Sequence, residues 1–179
     1  MQQRFTATFH AFKRAAVLCV ALSVVLCAAL SLAAHSAFAQ GRVIYPDPSV
    51  AKTEIHEALQ RAKAQHKRVI LDFGGNWCGD CQVLDIYFHD AENKALLEEN
   101  FELVDVNVGR YDANLDIAGQ YGIPLERGVP ALVVLSPEGR VLLAQTHGEF
   151  ESMRRLQSSD LTKFLNDWKP TRHSARGGR

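Results

Sequence analysis

Seven residues, Arg68 to Gly74 (RVILDFG), constrain the fold more than any other stretch of the chain. Extended, they place apolar side chains on both faces, the pattern of a central strand that helices cover on each side. Asp72 interrupts the run. A carboxylate there is either desolvated inside the sheet, with its proton affinity raised, or an exposed acid at the strand's end. The strand leads directly into GNWCGDC, which sets Cys78 and Cys81 three residues apart at the start of a new helical pattern.

The flanking segments fill in the layers. PDPSVAKTEIHEALQRAKAQHK offers Asp47 or Ser49 as a cap and Ile55, Leu59 and Ala62 at helical spacing. One helix is expected from Cys78 to about Glu99, with Val83, Leu84, Tyr87, Ala91 and Leu96 or Leu97 facing inward. FELVDVNVG reads as a second strand and DANLDIAGQYG as a short helix ending at Gly122. PALVVLS, the turn PEGR and VLLAQT form an antiparallel hairpin, and SSDLTKFLNDW closes the pattern as a capped amphipathic helix. The order αβαβαββα requires a right-handed parallel crossover. The expected fold is therefore α/β, with a mixed central sheet of four or five strands, helices on both faces and an extra N-terminal helix.

The first residues read as an address. Arg4, Lys13 and Arg14 precede an uncharged apolar run from Ala15 to Ala34, and Ala37-Phe38-Ala39 supplies small residues for cleavage after Ala39. The run is 20 residues long, enough to span a bilayer, so a retained anchor through 15–34 stands beside a cleaved signal peptide over 1–39. In either case the basic end stays inside and the remainder is exported, to the periplasm or an equivalent compartment. Leu26 before Cys27 is not the small residue that lipidation needs. Residues 40–48 are expected as a linker, 49–168 as the domain and 169–179 as a basic disordered tail. From 40 to 168 there are 13 basic and 20 acidic residues, a balance that gives no reason to expect nucleic-acid binding.

Removing the leader removes Cys19 and Cys27, leaving Cys78 and Cys81 as a pair in an oxidising compartment. A bridge closing so short a loop would constrain the unfolded chain little. A structural zinc site needs two further close ligands, and His56, His66 and His89 are scattered. Gln82 stands where covalent haem attachment would need histidine. No metal or organic cofactor is expected, and redox exchange is the leading reading, with an inert buried pair as its alternative.

Trp-Cys-Gly-Asp-Cys at a strand–helix junction, Asp72 six residues upstream and Val129-Pro130 after the third helix together resemble the thioredoxin superfamily over roughly Ser49 to Trp168, in particular its exported bacterial members. The resemblance implies a cis bond before Pro130, which would set it against the cysteines, with Val129 offering backbone groups to an extended substrate; an ordinary trans proline is the alternative. Three features depart from the usual thioredoxin pattern. Asp80 replaces the proline between the cysteines, Pro124 to Glu126 looks like an insertion, and Asp105 stands about where a lysine approaches the buried acid.

Cys78, at a helix N-terminus, is expected to have its pKa lowered below the ~8.5 of a free thiol and to act as nucleophile. Cys81, deeper on the same side, would resolve the mixed disulfide, with Asp72 moving its proton. Gly79 leaves room for an incoming disulfide and Trp77 walls the thiol. Asp80 is expected to face solvent and contact substrate, to disfavour the Cys78 thiolate and so to bias the pair toward reducing. These residues give an exported thiol–disulfide oxidoreductase that reduces or isomerises disulfides of other exported proteins. A net disulfide donor and a binding module with little turnover are the alternatives. Its partners would be exported protein thiols and disulfides and a membrane or periplasmic electron-transfer partner, and a monomer is expected.

Overall fold

A computed structural model describes residues 43–171. The expected leader or anchor and most of the basic tail lie outside the described residues. Among the described residues no helix is long and apolar enough to cross a membrane.

The sheet has four strands in the order β2-β1-β3-β4. Strand β1 (Arg68–Gly74) is central; β2 (Phe101–Asn107) runs parallel to it, and β3 (Ala131–Leu135) and β4 (Val141–Ala144) continue antiparallel. Both faces of β1 are buried from Val69 to Gly74, which its apolar run requires.

On one face lie α1 (Ala51–Gln65) and α4 (Leu115–Gln120). Ala51, Ile55, Ala58 and Ala62 of α1 and Ile117 and Ala118 of α4 pack with Val69, Leu71, Phe73, Val104, Val106 and Val133. On the other face α2 (Gly79–Phe88) and α5 (Ser158–Trp168) set Leu84, Phe88, Leu161, Phe164 and Leu165 against Ile70, Leu132 and Val134. Asp47 accepts from the backbone N–H of Ser49 at 2.9 Å, but it caps a short 3-10 turn, Pro48–Val50, ahead of α1.

The single helix expected from Cys78 to Glu99 is two. Helix α2 ends at Phe88, His89 closes it, and α3 (Ala91–Asn100) restarts after Asp90, whose backbone is extended. The break is where α5 attaches. Buried Asn93 donates to the Tyr87 carbonyl at 3.0 Å and to Ser158 Oγ at 2.9 Å, Asp90 accepts from Ser158 Oγ, and Thr162 Oγ1 donates to Asn93 Oδ1 at 2.6 Å. A straight helix would carry these groups past their partners.

Residues 43–48, expected to end a linker, belong to the folded body. Tyr45 is 1% exposed. Asn76 acts on this arm as a neighbouring strand would: its Oδ1 accepts from the N–H groups of Ile44 (2.8 Å) and Tyr45 (3.1 Å), and its Nδ2 donates to the Tyr45 carbonyl at 2.8 Å. Asn107 and Asn114 hold the carbonyls of Pro46 (2.7 Å) and Pro48 (2.9 Å).

Candidate active site

Cys78 is the N-cap of α2, with an extended backbone, and its Sγ accepts the N–H of Cys81 at 3.1 Å. The sulfur thus occupies the position of a capping oxygen, where unpaired helix N–H groups favour negative charge. The two cysteines form a disulfide, with Cα atoms 5.3 Å apart. Cys78 is 6% exposed and Cys81 fully buried, so an incoming group reaches Cys78 first. A side chain at Gly79 would meet nothing within 4 Å, which leaves the approach open. The Val129–Pro130 bond is cis, and the Val129 carbonyl oxygen lies 3.5 Å from Cys78 Sγ.

Asp72, on the strand that leads to the pair, is 2% exposed rather than at an open strand end. Tyr45 donates its hydroxyl to Asp72 Oδ2 at 2.7 Å, while Oδ1 is buried with no hydrogen-bond partner among the described residues. Burial pushes the Asp72 carboxyl well above the ordinary carboxylate range. Asp105, its direct cross-strand partner on β2, and Asp85 of α2 push the same way, and the Tyr45 hydrogen bond opposes them. Burial and the Asp72 charge likewise raise the Tyr45 phenol. Gly74 allows the close approach: a Cβ there would sit 2.3 Å from Tyr45 Oη and 2.9 Å from Cys81 Sγ.

Asp80 does not face solvent. Its side chain, 13% exposed, accepts from Arg154 Nε at 3.1 Å and Nη2 at 2.8 Å, and from the Arg154 backbone N–H at 3.0 Å. The hydrogen bonds from Arg154 hold its carboxyl below the usual range. The expected bias against the Cys78 thiolate is therefore offset by a guanidinium, and Asp80, expected to touch substrate, is already engaged within the chain.

Trp77, 40% exposed, turns onto the loop after β2: its Nε1 donates to the Gly109 carbonyl, its ring lies 5.4 Å from that of Tyr111, and the Arg110 guanidinium lies 5.8 Å from its centre. The expected insertion contributes a short 3-10 turn, Leu125–Arg127, and with Tyr111, Leu115 and Gly128 it lines an open cavity of about 390 Å³. Sequence reasoning missed Tyr45, Asn76 and Arg154. The apolar Val43-Ile44-Tyr45 ahead of the Asp47 turn was the available signal for the arm; nothing local pointed to Arg154, 74 residues from its partner.

A disulfide whose outer sulfur caps a helix, with a buried acid on the strand that leads into it, is the arrangement of a thiol–disulfide oxidoreductase. The Thioredoxin-like family model matches residues 50–137, and a solved disulphide isomerase from Xylella fastidiosa Temecula1 is 34% identical at a TM-score of 0.67, covering 70% of this chain and 96% of that one. The chain belongs to the thioredoxin superfamily. Among curated relatives, the thiol:disulfide interchange protein DsbD of Pseudomonas fluorescens is 26% identical over 146 residues, 80% of this chain but 22% of that protein's length. A thioredoxin of Chlorobaculum thiosulfatiphilum is 36% identical over 73 residues, 38% of this chain and 56% of that one.

Proposed function

We propose that the protein is an exported oxidoreductase that reduces or isomerises disulfides of other exported proteins. The observation that carries the reading is the Cys78–Cys81 disulfide at the start of α2, its outer sulfur taking the Cys81 N–H and its inner one fully buried. Cys78 as thiolate attacks a substrate disulfide; the Cys78–substrate bond forms and one substrate thiolate leaves. Asp72 then takes the proton of Cys81, and Cys81 attacks Cys78, re-forming the internal disulfide and releasing the second substrate thiolate. Val129, beside Cys78, presents backbone groups to an extended substrate segment, and Trp77 and Gly79 frame the approach.

Export rests on the leader pattern, and the names of the Pseudomonas and Xylella relatives support exchange or isomerisation as the chemistry. The Arg154 pair favours a second reading, net disulfide donation, because it offsets the charge that would disfavour the thiolate. Insulin reduction with dithiothreitol regenerating the reduced pair tests turnover, and mixed-disulfide formation in its absence tests the two cysteines through Cys78→Ser and Cys81→Ser variants. Wild type should turn over, Cys81→Ser should accumulate mixed disulfides, and Cys78→Ser should do neither. Equal trapping by both variants would reverse or remove the assigned roles, and no wild-type turnover would favour a binding module.

A further inference from the structure

The N-terminal arm brings a residue to the site that the mechanism above does not use. Tyr45 precedes β1 by more than 20 residues, yet its hydroxyl reaches Asp72 Oδ2 at 2.7 Å, and it and Cys81 Sγ both close on the bare α-carbon of Gly74, where a Cβ would lie 2.3 Å from the one and 2.9 Å from the other. Three asparagine side chains fix the arm in place. Asn76, adjoining the Trp77-Cys78 segment, binds it through both ends of Tyr45's backbone; Asn107 and Asn114 hold it at Pro46 and Pro48. A phenol that only filled space would need no such clamp and no carboxylate at hydrogen-bond distance.

We infer that Tyr45 is a positioning residue for the resolving step: its hydroxyl holds Oδ2 of Asp72 and leaves Oδ1 as the oxygen that takes the proton of Cys81. The inference rests on the reading of Asp72 as proton carrier. Tyr45 keeps its own proton throughout. The proton leaves Cys81 for Asp72 Oδ1, the Cys81 electron pair forms the bond to Cys78, and the substrate sulfur leaves with the pair from the broken mixed disulfide. Bound at Oδ2, the carboxylate has one free edge and one orientation.

The groups that set the proton affinity of Asp72 come from three elements: Asp105 on β2 and Asp85 on α2 raise it together with burial, and Tyr45 on the arm lowers it. Removing the hydroxyl removes the one opposing contribution of these, because a hydrogen bond to the ionised form favours that form.

Tyr45→Phe keeps the ring and deletes the donor. In the reduced protein, carbon-13 NMR of the Asp72 carboxyl should show its titration midpoint moved to higher pH. The resolving rate, read in single-turnover experiments with a preformed mixed disulfide, should move with it. A shift of one unit gives about a tenfold slower resolving step at pH values below both midpoints. The attack of Cys78 should keep its wild-type pH profile, which also reports that the variant folds. Difluorotyrosine at position 45, a stronger donor, should move both profiles the other way. An Asp72 midpoint and a resolving profile that coincide with wild type in both variants would overturn the inference. If instead Asp72→Asn leaves the resolving rate unchanged while Tyr45→Phe still moves the Asp72 titration, the proton-carrier reading falls and the assigned hydrogen bond stands.

Discussion

Replacing Gly74 with alanine tests how tightly the arm, the buried acid and the inner cysteine are packed. The new Cβ would lie 2.3 Å from Tyr45 Oη, 2.5 Å from its Cζ and 2.9 Å from Cys81 Sγ, all closer than a Cβ tolerates. Tyr45 cannot swing into solvent, being 1% exposed and held at the backbone by Asn76. Forcing a methyl into a packed core costs about 1–3 kcal/mol. Displacing the phenol also breaks its bond to Asp72, which is worth roughly 0.5–1.5 kcal/mol with the carboxyl neutral, the form its raised pKa favours. Alanine recovers about 0.4–1 kcal/mol by restricting the unfolded chain. The expected net loss is about 2 kcal/mol, read as a lower urea midpoint of the oxidised protein at unchanged slope. Gly79→Ala is the matched control: nothing lies within 4 Å of its Cβ, so it should be neutral or gain up to ~1 kcal/mol in α2. A Gly74→Ala variant within 0.5 kcal/mol of wild type, or equal losses at both glycines, would refute the packing argument.

Two further outcomes follow from the same geometry, and a third from the leader pattern. Because the folded-state pKa of Asp72 is raised, its contribution to stability is present below the unfolded value of ~3.9 and is lost as pH rises through the folded value; Asp72→Asn should therefore gain stability relative to wild type with increasing pH, and parallel urea midpoints from acid to alkaline pH would contradict this. Arg154→Gln leaves the Asp80 carboxylate without its counter-charge, so the Cys78 thiol pKa should rise and the pair become more reducing; thiol titration with unchanged values would show that the ion pair does not reach the site. Protein purified from an export-competent bacterium should begin at Gln40, whereas intact mass retaining Met1 in the membrane fraction would favour the anchor.

What the sequence discloses here is what local periodicity encodes. β1 is legible because its two-faced apolar run demands cover on both sides, and the hairpin because PEGR separates two apolar strands. The Cys78–Cys81 pair is legible because its helix position follows from where the strand stops. The break at His89–Asp90 is not, since the apolar spacing continues through it and its cause is the long-range attachment of Asn93 and Asp90 to α5. Asp80 misleads for the same reason: a carboxylate in the first turn of a helix looks solvent-facing until Arg154 is folded against it. Tyr45 lies in a short segment without periodicity, and only the three asparagines, 31 to 66 residues away from the groups they hold, show that it is part of the site.

Cys78 and Cys81 form a pair that exchanges electrons rather than one that staples the chain. Equilibrating the protein across glutathione and dithiothreitol buffers of known potential, then alkylating free thiols and weighing the products, measures this directly. One reversible two-electron transition is expected, with both cysteines alkylated together and a midpoint between about −120 and −270 mV, the range of catalytic dithiols. A pair that remains disulfide-bonded below about −300 mV, as structural disulfides do, would contradict it.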